Sequence, residues 1–164
     1  MKRLGIAISI AAAVLTACGE PTPDEQVRAL AEKAKKVEYE IADYTKVNDD
    51  IQTILERQER IKPYFTEKEY RSITNNRVMG IATLVAIHQK ANITVKELAL
   101  QPKSEADSTR SYDYTMKLEL TYPDGRPSKV IEANGQIDFV KESEGWKISR
   151  DWDGYVLVKE IYVE

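Results

Sequence analysis

Apolar and polar positions follow three regimes along this chain. Leu4 to Leu15 holds no charged residue. From Val27 to about Lys90 apolar residues return every three or four positions, as on one face of a helix. From Asn92 onward they alternate with polar residues, as on one face of a strand.

Local signals divide the helical part into pieces. Thr22-Pro23-Asp24-Glu25 reads as a helix start: Thr22 is the N-cap, proline takes the first turn, and Glu25 completes a capping box. Val27, Leu30, Ala31, Ala34, Val37 and Ile41 then mark one face, predicting a helix to about Ala42. Asn48 or Asp49 is expected to cap a second helix, with Ile51, Ile54, Leu55, Gln58 and Ile61 on its buried side and Pro63 ending it. Thr66-Glu67-Lys68-Glu69 is a further capping box, and Phe65 is placed to staple against Tyr70. The helix it opens is expected to break near Asn75 and Asn76 and to resume through Ile81, Leu84 and Val85 toward Lys90.

In the strand part, Ile93 and Val95 fall out of phase with Leu98 and Leu100, which predicts a bulge between them. Tyr112, Tyr114, Met116, Leu118, Leu120 and Tyr122 alternate with Asp113, Thr115, Lys117, Glu119 and Thr121. Pro123-Asp124-Gly125-Arg126 is a turn, so a strand over about 128–140 returns antiparallel. A turn at Ser143-Glu144-Gly145 leads into a strand carrying Trp146, Ile148, Arg150 and Trp152, and Asp153-Gly154 ends it. Tyr155 to Val163 is expected to form a last extended segment.

The uncharged run changes the picture once its flanks are added. Lys2 and Arg3 precede it, Leu15-Thr16-Ala17-Cys18 follows it, and Cys18 is the chain's one cysteine. At about a dozen residues the run is too short to span a bilayer, which takes roughly 20, and it has the length of a signal-peptide core. The segment resembles a bacterial lipoprotein signal with its lipobox. That resemblance implies cleavage after Ala17 and lipidation of Cys18, so residues 1–17 are a signal peptide, 18–22 a lipidated tether, and 23–164 one domain. It further implies an envelope address: the periplasmic face of the outer membrane in a diderm cell, or the outer face of the membrane in a monoderm one. Four residues from Gly19 to Thr22 reach at most about 14 Å at roughly 3.5 Å each, so the domain would work close to the lipid.

Net charge is −3 and falls to −5 once Lys2 and Arg3 are removed, with acids and bases well mixed. No basic stripe points to nucleic acid. With its one thiol on the anchor, the domain would have no disulfide.

Helices followed by an antiparallel meander predict an α+β domain with one sheet face covered by helices. This order is similar to that of the NTF2-like, cystatin-like superfamily over roughly Asp24 to Asp153. The likeness rests on Phe65-Thr66-Glu67-Lys68-Glu69-Tyr70 after two helices and on Gly145-Trp146-Lys147-Ile148 opening a late strand. The segment from Trp146 to Trp152 also resembles the end of NTF2-like domains that precede some penicillin-binding protein catalytic domains. The resemblance implies a curved sheet wrapped around a long helix as a cone. Tyr155 to Val163 extends past the superfamily's usual last strand, as an edge strand or an interface.

The superfamily holds enzymes and non-catalytic modules, so fold does not choose between them. An isomerase-type or hydrolase-type site would need a base inside the cone with a nearby donor, and His88, Asp113, Asp138, Tyr112 and Tyr114 are the candidates. Tyr112 and Asp113 are neighbours on a strand and face opposite sides, which spoils their pairing. His88 reads as a boundary residue near a helix end. One histidine and no spare cysteine exclude a usual zinc set, and Asp49, Asp50, Asp151 and Asp153 read as cap and turn residues rather than cation ligands. No cofactor is implied.

Nine tyrosines and two tryptophans beside two phenylalanines are the stronger clue, because polar-tipped aromatics suit half-buried binding positions. Tyr112, Tyr114, Trp146 and Trp152 are therefore the candidate ligand-binding residues, the alternative being that the tyrosine face simply packs on the helices. Three functions stand open: a non-catalytic anchored module for a protein partner or small envelope ligand, an enzyme using a cone-shaped cavity, and an assembly subunit.

Overall fold

A computed structural model of the chain describes residues 20–154 and 156–162. The signal, lipobox and Cys18, together with Tyr155 and Val163, lie outside the described residues. Four helices come first: α1 (Pro23–Tyr39), α2 (Ile51–Ile61), α3 (Glu67–Asn75) and α4 (Val78–Gln89). Four strands follow: β1 (Asn92–Glu105), β2 (Thr109–Thr121), β3 (Lys129–Glu142) and β4 (Gly145–Trp152). They form one antiparallel sheet in the order β1-β2-β3-β4. The class is α+β, with helices packed on one face of the sheet.

The alternation along β2 decides which face. Tyr112, Tyr114, Met116, Leu118 and Leu120 are buried, and the residues between them point outward. Val27, Ala31 and Ala34 of α1 and Ile61 of α2 complete the core with Ile137 of β3 and Ile148 of β4. The bulge expected in β1 falls between Val95 and Glu97, where the register with β2 shifts.

Helix starts follow the side-chain chemistry. The Thr22 capping box is formed, with Glu25 N donating to Thr22 Oγ1 at 3.3 Å and Thr22 N donating to Glu25 Oε2 at 2.7 Å. The first turn of α1 is also pinned to the sheet. The Tyr112 hydroxyl donates to Asp24 Oδ1 at 2.6 Å, and Arg28 donates to Asp24 at 2.6 Å and to the Leu100 carbonyl at 3.0 Å. Only half of the second capping box forms. Glu69 N donates to Thr66 Oγ1 at 3.3 Å, but the Glu69 carboxylate turns away and accepts the Asp151 N–H of β4 at 3.0 Å. The break between α3 and α4 is where it was expected, with Arg77 in the left-handed region at φ 54°.

Three local expectations are corrected. The cap of α2 is Asp50, which accepts from Thr53 N at 2.8 Å, rather than Asn48 or Asp49. The buried face of α2 is also rotated: Ile51 and Leu55 are 69% and 46% exposed, while Arg57, Gln58 and Ile61 are buried. The cause is the end of α1, whose last carbonyls have no helical partner. The Arg57 guanidinium meets that need, donating to the carbonyls of Val37, Glu38 and Glu40, and to that of Met79 in α4, at 2.7–3.3 Å. Third, Val156–Tyr162 is a 3₁₀ helix, not an extended strand. A three-residue turn sets Leu157 and Glu160 on one side, and both are buried. Glu160 holds the segment in place, accepting from Gln89 of α4 at 2.8 Å through its carbonyl and from Lys129 of β3 at 2.6 Å through its carboxylate.

Candidate functional site

The interior between α1 and the sheet is occupied by charge. Lys35 follows Ala31 by four residues and so lies on the inward stripe of α1, where its side chain is 1% exposed. Its ammonium reaches both carboxylate oxygens of Asp151, at 2.9 and 2.8 Å, and Glu38 Oε2 at 3.0 Å. It also lies 4.9 Å from the ring centre of Tyr114 and 5.3 Å from that of Tyr39, within cation–π range. The Tyr114 hydroxyl donates to Asp151 at 3.4 Å, and the Tyr39 hydroxyl donates to Asp153. This network joins α1, β2 and the end of β4, and through Glu69 it also takes in α3.

One ammonium here faces two buried carboxylates, and they are not equivalent. Burial alone would pull Lys35 down, but Asp151 and Glu38 outweigh it and hold the ammonium well above the ordinary lysine value. Asp151 takes two contacts with Lys35 and Glu38 takes one. Burial pushes the Glu38 carboxyl up to about 8; Lys35 opposes the rise, and Asp151 and Asp153 add to it. Burial likewise raises Glu69 and lifts the Tyr114 phenol far above its usual value.

Little space remains beside this network. The cleft between α3 and the end of β4, lined by Glu38, Glu69, Ser72, Asn76, Asp151 and Trp152, has a volume of about 50 Å³. A single water needs roughly 10–15 Å³ of such space, and ligand pockets usually run from about 300 Å³ upward, so the cleft holds a few waters. Tyr114, itself buried, crosses Gly135, its partner on β3. A Cβ on Gly135 would lie 2.4 Å from Tyr114 Cζ and 2.4 Å from the Trp152 carbonyl, so only glycine leaves room for the ring.

The four aromatics expected to share one pocket are dispersed. Tyr112 and Tyr114 are 0% and 2% exposed and belong to the core; burial, with the bond to Asp24, pushes the Tyr112 phenol up to about 12. Trp146 is buried, with the Arg110 guanidinium 5.7 Å from its ring centre. Trp152 alone of the four is open, at 51% exposure. The candidate bases do not meet inside either. Asp113 is exposed on the outer sheet face and pairs with Lys103 at 3.4 Å. Asp138, half-buried on that face, lies 4.0 Å from Arg150, and His88 is exposed in the last turn of α4. Asp151 and Asp153, read from sequence as turn residues, are partners of Lys35 and Tyr39. In the sequence, Lys35 and Glu38 are marked as inward only by their spacing from Ala31, four and seven residues on.

Comparison with known proteins bears on the fold. No family model matches the chain, and no curated protein does. Among solved structures it is similar to an IcmL-like type IV secretion system protein from Legionella pneumophila, with a TM-score of 0.57 and 13% identity over 82% of this chain and 93% of that one. It is also similar to an NTF2-like protein involved in plasmid conjugation, with a TM-score of 0.50 and 11% identity over 80% of this chain and 49% of the other. The fold is NTF2-like. At these identities the likeness concerns architecture, and the function has to be argued from this chain's own residues.

Proposed function

We propose that the protein is a lipid-anchored cell-envelope module that binds a protein partner or an envelope ligand close to the membrane without catalysing a reaction on it. The observation that carries the non-catalytic part is the interior. Lys35, Tyr114 and their carboxylate partners occupy the space that a reaction chamber would need, and the adjoining cleft of about 50 Å³ admits little more than water. The anchor rests on the sequence alone, on the apolar run ending in Leu15-Thr16-Ala17-Cys18. The likeness in fold to a type IV secretion system protein and to a conjugation protein supports an accessory role at an envelope.

Two measurements test the reading. Membrane fractionation of a Cys18→Ala variant should move the protein to the soluble fraction, and a processed variant that stays with the membrane rejects the anchor. Cross-linking in intact cells should then enrich reproducible envelope neighbours. Steady turnover of any small envelope metabolite, lost on Lys35→Met, would overturn the non-catalytic part.

A further inference from the structure

The outer face of the sheet divides into two chemically different halves. Toward the start of β1, outward side chains pair across strands as ions: Lys117 with Glu97 at 2.8 Å and Lys96 with Glu119 at 3.2 Å. Toward the other end, one cross-strand row runs over all four strands. Gln101 stands opposite Asp113, Asp113 opposite Gln136, and Gln136 opposite Trp152. Thr115 and Asn134 form the next row. These six outward side chains line an open groove of about 340 Å³, and a second groove of about 310 Å³ adjoins it across Gln136. At roughly 4.8 Å between strands, the row is about 14 Å long.

The groove has three properties that together select a ligand. Its carboxamides are free: among the described residues, no side-chain hydrogen bond engages Gln101, Asn134 or Gln136, so each offers a donor and an acceptor. Its charges cancel, because Asp113 is paired with Lys103 and, alongside, Asp138 with Arg150. Its one large apolar surface is the Trp152 indole, 51% exposed at the β4 end of the row. A nucleic acid would require a basic track, and a charged peptide would require an uncompensated field. The complementary occupant is a neutral chain with hydrogen-bonding groups on its edges and a flat apolar face for the indole, which describes pyranose rings bearing hydroxyl or acetamido groups.

We infer that this groove binds a neutral glycan, with Trp152 stacking on a sugar ring and Gln101, Asn134 and Gln136 hydrogen-bonding its substituents. The inference deepens the reading of the protein as a binding module and does not depend on the anchor. The site is open and shallow, so its affinity is modest and its selectivity comes from the carboxamides.

Titration of the purified full chain with chitotetraose and with cellotetraose, followed through indole emission and calorimetry, tests it. Saturable binding of either, with Kd at or below about 1 mM and unchanged between low and high salt, is the expected result. Trp152→Ala should weaken it at least about tenfold, and Asn134→Ala or Gln136→Ala several-fold, as expected for loss of one neutral hydrogen bond. All three positions lie outside the core, and circular dichroism confirms that each variant is folded. Absence of saturable binding by both oligosaccharides, or binding that survives Trp152→Ala and Gln136→Ala alike, overturns the inference. Absence of glycan binding together with a reproducible protein neighbour on cross-linking in intact cells would leave the binding-module reading standing while the glycan site falls.

Discussion

Replacing Glu38 by glutamine should flatten the dependence of stability on pH. In the folded chain burial holds the Glu38 carboxyl near 8, and in the unfolded chain it returns to an ordinary value near 4.5. Between those limits the folded state carries a proton that the unfolded state has lost, so stability falls as pH rises. The slope approaches about 1.4 kcal/mol per pH unit, and the full window is worth on the order of 5 kcal/mol. The stabilising contribution is complete below about pH 4.5 and gone above about pH 8. Glu69, raised by its own burial, adds a smaller slope of the same sign. Glutamine keeps the shape and the oxygen that accepts from Lys35 and cannot ionise. Urea unfolding at pH 5, 6, 7 and 8, read by circular dichroism, should therefore show the wild type losing several kcal/mol while the variant loses much less. Parallel curves would refute the argument, because Glu38 would then ionise in the folded protein as readily as in the unfolded one.

Two further substitutions test the packing around the site. Gly135→Ala sets a Cβ 2.4 Å from the Tyr114 ring and the Trp152 carbonyl, so it should cost about 1–3 kcal/mol by overpacking, measured by thermal unfolding with a lowered midpoint. Arg57→Ala removes four charged hydrogen bonds, three of them to carbonyls at or just beyond the end of α1, and should cost at least about 2 kcal/mol, as expected for hydrogen bonds to a charged group. Arg57→Lys should recover little in the same assay, because one ammonium cannot reproduce the fork of the guanidinium.

Much of this architecture can be read directly in the chain. The unbroken alternation from Tyr112 to Leu120 assigns the inner face of β2 correctly, since a period of two leaves no freedom over which side is buried. Thr22 and Glu25 mark the start of α1 because the capping box is local, and the phase slip before Leu98 marks the β1 bulge for the same reason. What escapes is decided by distant partners. Arg57 is polar by type and buried because α1 ends beside it. Glu69 has the spacing of a capping box and is diverted by an N–H eighty-two residues away. The 3₁₀ turn that puts Leu157 and Glu160 on one side is held by Gln89 of α4 and Lys129 of β3, partners far off in the chain. The site divides in the same way. Trp152 could be named from its residue type, whereas Gln101, Asp113 and Gln136 become neighbours through a register that no single strand encodes. Lys35 lay on the apolar stripe of α1 and was hidden by its charge.

The pinning of α1's first turn has a mechanical consequence. Two and six residues after Thr22 come Asp24 and Arg28, which are bonded to Tyr112 of β2 and to the Leu100 carbonyl of β1. A load applied to the chain at Thr22 therefore reaches the sheet within two turns of helix, with no slack segment between. A force that grips the chain at Thr22 itself therefore moves the sheet as one body with α1, and carries the open face with Trp152 along with it.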